Sequence, residues 1–167
     1  MDAYVEKLIR KNKNKKDILF ISGAVAAGLA AIFLVSSIPT LRGVWFFLAA
    51  GIGYGVYYAV ISRNLEYEYI LTNEELDIDV IIAERRRKRI FSSDCRDFEF
   101  LTRLKNGRFE KEIGEARKRI EAVSSMNSGD IYAAVLNYKG TRTAVFFEPD
   151  ERMMAIFRRY IPKKIAD

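Results

Sequence analysis

The sequence predicts an α+β membrane protein: an N-terminal transmembrane helical hairpin followed by an antiparallel β domain closed by a C-terminal helix. Three observations lead there. Residues 18–38 and 43–62 contain no charged residue, although 30 % of the 167-residue chain is charged. Beyond residue 63 the apolar runs give way to short segments that alternate apolar and polar side chains, the period of half-buried strands. Near the C-terminus, apolar residues recur at helical spacing behind Pro149 and Asp150. The mean hydropathy of −0.07 averages over this segregation and hides it.

Composition also excludes chemistry. The chain has no His, so it offers no imidazole base, Ser/His triad or His-ligated zinc site. A single Cys95 forms neither an internal disulfide nor a multi-cysteine metal site. The nearest approach to a phosphate loop, Gly51-Ile52-Gly53-Tyr54-Gly55, lies inside an apolar run with no Lys after it. These absences point to a protein that is not an enzyme and that uses no cofactor or metal.

Residues 1–17 read as a basic cytoplasmic leader. Residues 18–38 then supply 21 uncharged positions, about 31 Å of helix against a hydrocarbon layer of about 30 Å. The stretch is too long for a signal-peptide core, and a second apolar segment follows at once. Residues 39–42 leave room only for a tight turn before residues 43–62 cross back. Lys7, Arg10, Lys11, Lys13, Lys15, Lys16 and Arg63 flank the outer ends of the pair, against Arg42 alone in the turn. That bias places both termini in the cytoplasm and the protein in the cell membrane as a multi-pass chain. The lysines of the leader read as topogenic, with binding of anionic lipid or nucleic acid as a second role.

Small residues mark both helices. Ala24 and Gly28 lie on one ridge, and Gly51 with Gly55 form a GxxxG on the other helix. Such positions let backbones approach closely. Two uses stay open: packing within the hairpin, or the seam of a homo-oligomer. No ionisable residue interrupts either span, so an ion path has no carrier.

Residues 63–167 form the cytoplasmic domain, with 21 Lys and Arg against 19 Asp and Glu. The overall net charge of +6 therefore arises mostly outside it and does not signal nucleic acid. Leu65, Tyr67, Tyr69 and Leu71 alternate over 65–72, and Leu76, Ile78, Val80 and Ile82 over 75–83. Strands are further expected over 86–93, 97–102, 131–138 and 141–148, the last two joined by a Lys139-Gly140 hairpin turn. The charge-rich segment 108–119 reads as an exposed helix or loop leading into a short strand over 120–124. A helix over 150–161 buries Met153, Ile156, Phe157, Tyr160 and Ile161, with Arg158 and Arg159 in its last turn.

This order of strands resembles the pleckstrin-homology-like (PH-like) β-barrel, a bent sheet plugged by a C-terminal helix. The segment from Tyr69 to Ile78 resembles the opening hairpin of membrane-anchored bacterial members, and that from Phe146 to Met153 resembles their final strand entering the helix. The whole chain is similar to a family of small two-span proteins of Gram-positive bacteria whose function is not established. The resemblance implies a binding module for lipid, peptide or protein, and it names no active-site residue. The basic pattern that binds phosphoinositides in a first hairpin is absent, because Asn73, Glu74 and Glu75 occupy that turn.

One constellation stands out: Arg85, Arg86, Arg87, Lys88 and Arg89 are consecutive. One reading pairs them across strands with Asp77, Asp79 or Glu84. The other makes them a contact for anionic lipid or an acidic protein partner. No aromatic residue is interleaved to stack on bases, which argues against nucleic acid. The function expected is a membrane-anchored scaffold presenting its domain to a protein partner or the anionic inner leaflet. The alternative is a structural subunit that homo-oligomerises through its glycine-bearing helices.

Overall fold

The structure, a computed structural model, describes residues 3–166; positions 1, 2 and 167 of the expected leader and domain lie outside it. It divides into two compact units, residues 12–65 and the residues on either side of them.

The chain opens on a strand, β1 (Tyr4–Arg10), where a topogenic leader was expected. Val5, Lys7 and Ile9 turn inward while Tyr4, Glu6, Leu8 and Arg10 face out. This is period-2 alternation in which a lysine takes an inward position. Its aliphatic stem can lie along apolar surface while its ammonium finds an acceptor: Lys7 Nζ donates to the carbonyl of Glu148 at 2.8 Å.

Two helices follow. The first, α1 (Lys15–Ser36), begins three residues before the apolar stretch because Asn14 caps it. Asn14 Oδ1 accepts from the Asp17 N–H, and the Asp17 carboxylate accepts from the Asn14 N–H, a reciprocal capping box. A 3₁₀ turn at Pro39–Leu41 leads to α2 (Trp45–Ile61). Among the described residues α1 is the one helix of at least 18 residues apolar enough to cross a membrane; α2 is a shorter apolar helix of 17 residues, about 26 Å, at the low end of what a span needs. Large apolar side chains such as Leu19, Phe33, Phe46 and Phe47 are more than two-thirds exposed. The Arg63 guanidinium sits 3.9 Å over the Phe20 ring.

In the other unit, β2 (Leu65–Thr72), β3 (Glu75–Ile82) and β4 (Arg86–Asp94) complete a four-stranded sheet in the order β1-β2-β3-β4. The β1–β2 ladder runs antiparallel from Tyr4↔Thr72 to Arg10↔Glu66. The hairpin that the sequence suggested as first is thus the second, and the connection between the first two strands is the helical segment itself.

The second sheet is built from β5 (Phe98–Arg103), β6 (Lys118–Glu121), β7 (Tyr132–Tyr138), β8 (Thr141–Phe147) and β9 (Ile165–Ala166). Its order is β6-β8-β7-β5-β9, with β6 and β9 parallel to their neighbours. Lys139 and Gly140 both take positive φ, as a two-residue primed turn requires. The strands thus form two sheets, each a ladder of its own.

The main core lies where the two sheets meet a C-terminal helix (Glu151–Tyr160). Phe157 packs its ring against Phe98 and Phe147, with centroids 6.4 and 5.9 Å away. Asp150 Oδ1 caps this helix by accepting from the Met153 N–H at 2.8 Å. Burial opposes ionisation there, yet that N–H and the Arg152 guanidinium hold the Asp150 carboxyl below its ordinary value.

A second, smaller core anchors the segment 108–119, most of whose residues are exposed. A single helical turn, Glu110–Gly114, buries Ile113 against Phe100, Ile131 and Phe146, and Phe109 stacks on Phe100 at 4.3 Å. The β7 sequence and the second half of β8 are almost continuously apolar because both of their faces are covered.

Candidate functional site

Strand geometry divides the basic run. In the β3–β4 ladder Asp79 stands opposite Arg89, Val80 opposite Lys88 and Ile82 opposite Arg86. Arg89 donates to Asp79 at 2.6 Å and also to Asp77. Arg87 donates to Glu68 on β2 at 2.8 Å. Both guanidiniums are therefore engaged on the outer face of the first sheet. Arg85, Arg86 and Lys88 make no ion pair among the described residues.

The run begins at a tight turn in which Ala83 and Glu84 both have positive φ, a conformation that costs non-glycine residues energy. Glu84 meets Arg10 at 3.5 Å. The turn accordingly shares one end of the sheet with the Arg10↔Glu66 pair, where the chain departs for the helical segment and returns.

On the inner side, Lys88 lines an open groove of about 450 Å³ with Tyr67, Val80 and Ile90, facing Lys118 and Arg119 of β6. Arg119 spreads over the Phe146 ring at 4.7 Å, and Lys118 lies 5.8 Å from the centre of Tyr138.

What sequence reasoning missed lies on the outer face. Glu66, Glu68 and Asp79 are buried, each less than a tenth exposed. Burial pushes the Glu68 carboxyl up, and Arg87 opposes that rise. Its Oε2 has no hydrogen-bond partner, and neither has Asp77 Oδ1. The signal was present as the alternating acids of Leu-Glu-Tyr-Glu-Tyr, which alternation alone assigns to solvent. No group of three or more acidic or Cys side chains among the described residues is arranged to hold a metal ion. Cys95 is fully buried, and burial pushes its thiol up to about 12, which makes it inert.

The small residues of the helices separate in the same way. A Cβ on Gly28 would run into the Val56 side chain, so Gly28 is a close-packing point between α1 and α2. Ala24 lies half-buried on the same ridge. Gly51 and Gly55 have open space where a Cβ would stand, so the GxxxG does not pack this hairpin.

The family described as Bacterial PH-like domain (DUF6106) matches residues 1–167. The chain belongs to this family. Neither a curated protein nor a solved structure matches it. In this PH-like chain the two-sheet core and C-terminal helix agree with the family's fold, and the helical segment occupies the connection between the first two strands.

Proposed function

We propose that the protein is a membrane-anchored, non-catalytic binding module. Helices α1 and α2 form a two-span hairpin with both termini cytoplasmic, and Arg85, Arg86 and Lys88 hold the PH-like domain against the anionic inner leaflet. The observation that carries this reading is the shared sheet end. The strand ends that lead into the apolar segment and the turn that starts the basic run are joined by the Arg10–Glu84 pair. Basic residues near an anionic leaflet gain about 1 kcal/mol each within a Debye length. Three unpaired cations give about 3 kcal/mol gross, since Arg87 and Arg89 already serve carboxylates of the domain.

The test is the full chain in nanodiscs, carrying a fluorophore on a cysteine at position 90 in a Cys95→Ser background. Quenching by a lipid-borne quencher should rise with anionic lipid and fall with salt. It should also fall when Arg85, Arg86 and Lys88 are changed to Gln. Equal quenching in neutral and anionic discs would overturn the docking. Labelling of a cysteine at position 14 from outside intact cells would overturn the topology.

The second reading, a homo-oligomeric structural subunit, is favoured by the open faces of Gly51 and Gly55. Gly51→Leu and Gly55→Leu should then lower the mass of the assembly in mild detergent. An unchanged mass counts against it.

A further inference from the structure

We infer that the outer face of the first sheet is a docking surface for a basic segment of a protein partner, with lysine or arginine flanked by apolar side chains. The inference is separate from the leaflet reading, because it uses the opposite side of β4 from Lys88 and needs no lipid.

The first observation is apolar exposure. Tyr4 is 60 % exposed and Leu8 53 %, both on the outward side of β1. Among the described residues outside 12–65, Met126 is the one other large apolar side chain so exposed, at 36 %. Tyr4 and Leu8 stand four residues apart on a strand, about 13 Å, a span that fits an extended or helical segment better than a small molecule.

The second is unsatisfied charge beside them. Leu8 is the cross-strand partner of Glu68. Glu68 is only 3 % exposed; its Oε1 takes Arg87, while its Oε2 has no donor and lies beside the Glu6 carboxyl, which raises it further. Asp77 Oδ1 lacks a donor as well. A carboxylate oxygen removed from water without a donor is costly, and an ammonium or guanidinium supplies both the N–H and the opposite charge.

The third is the balance of the face. Glu66, Glu68, Asp77 and Asp79 pair with Arg10, Arg87 and Arg89, and Glu6 accepts from the Tyr4 hydroxyl, so five carboxyls face three guanidiniums. The face is acidic on a chain whose net charge is +6. Overall charge repels a basic peptide, so binding of one reports this local face. The same acidity excludes an anionic membrane as its occupant, and exposed Tyr4 and Leu8 would stay uncovered by a simple amine.

The probe is a short fluorescent lysine peptide with a central leucine, titrated against the full chain in neutral amphipol and read by anisotropy. A glutamate peptide of the same length is the control. The lysine peptide should bind in a salt-sensitive manner, and the glutamate peptide should not. Loss of one charge-assisted contact corresponds to about tenfold weaker binding, expected for Glu68→Gln and, through lost apolar contact, for Leu8→Ser. Protection of the Cys95 thiol confirms that each variant is folded. Changing Arg85, Arg86 and Lys88 to Gln should not weaken binding, since these cations lie outside the acidic face. Absence of lysine-peptide binding, or binding indifferent to both Glu68→Gln and Leu8→Ser, would overturn the inference. Indifference to Glu68→Gln alone would likewise overturn it, by showing a neutral Glu68 that shares a proton with Glu6.

Discussion

The two sheets of the PH-like domain treat their outer faces in opposite ways. The second sheet is roofed by Phe109 and the single turn carrying Ile113, which cover Phe100 and Phe146 with apolar surface. Among the described residues of its own unit the first sheet has no such roof, and its outer face carries interlocked carboxylates and guanidiniums instead. The contrast teaches that the same strand alternation yields either a second core or a charged face, depending on what the intervening chain lays over it. Roofed strands lose the need for polar outward residues, and Tyr132–Tyr138 reads as almost wholly apolar. Unroofed strands keep charges, and these become buried by covering one another.

This contrast can be broken by mutation, with the chemistry of Cys95 as the readout. Its thiol is fully buried and pushed up to about 12, so labelling occurs only when the domain opens. Denaturant-dependent thiol labelling of the full chain therefore measures each loss. The largest is expected in the core that both sheets share: Phe157→Ala should cost about 3–5 kcal/mol, since the ring is fully buried between Phe98 and Phe147. Removing the roof of the second sheet with Ile113→Ala should cost about 2–3 kcal/mol, the low end of the range because one helical turn can close over the gap.

On the first sheet, Arg87→Gln should cost about 1–2 kcal/mol, because it strands the buried Glu68 carboxylate. The pH dependence sharpens this. Glu68 has a raised folded value, so the chain loses stability relative to Glu68→Gln as pH rises from the ordinary carboxylate value through the raised one. Asp150 has the opposite sign. Its contribution is complete above the ordinary aspartate value and is lost as pH falls through the lower folded one. Asp150→Ala should cost about 1 kcal/mol at neutral pH, the worth of an N-cap, and the difference should vanish in acid. A smaller contrast lies in the helices: Gly28→Leu should force α1 and α2 apart, whereas Gly51→Leu should leave the hairpin intact. Cysteine cross-linking between the two helices distinguishes these outcomes.

Much of the fold was legible because the strongest sequence signals are local. Charge-free runs, the period-2 strands at 65–72 and 75–83, the Lys139-Gly140 turn and the capped C-terminal helix each depend on neighbours a few residues away. The class of β domain and the PH-like family followed from their order. The strand at Tyr4–Arg10 was not legible, because its Lys7 and Arg10 match a topogenic leader as well as a strand edge. Its pairing partner lies more than fifty residues along the chain. The split of the basic run has the same origin. Five consecutive cations look alike in sequence, and only the register against β3 and the proximity of Glu68 decide which are consumed. The sequence by itself determined which segments are apolar, which are strands and which end in a capped helix. Only the tertiary structure decided which charges are free, because pairing depends on side chains that folding brings together from distant strands.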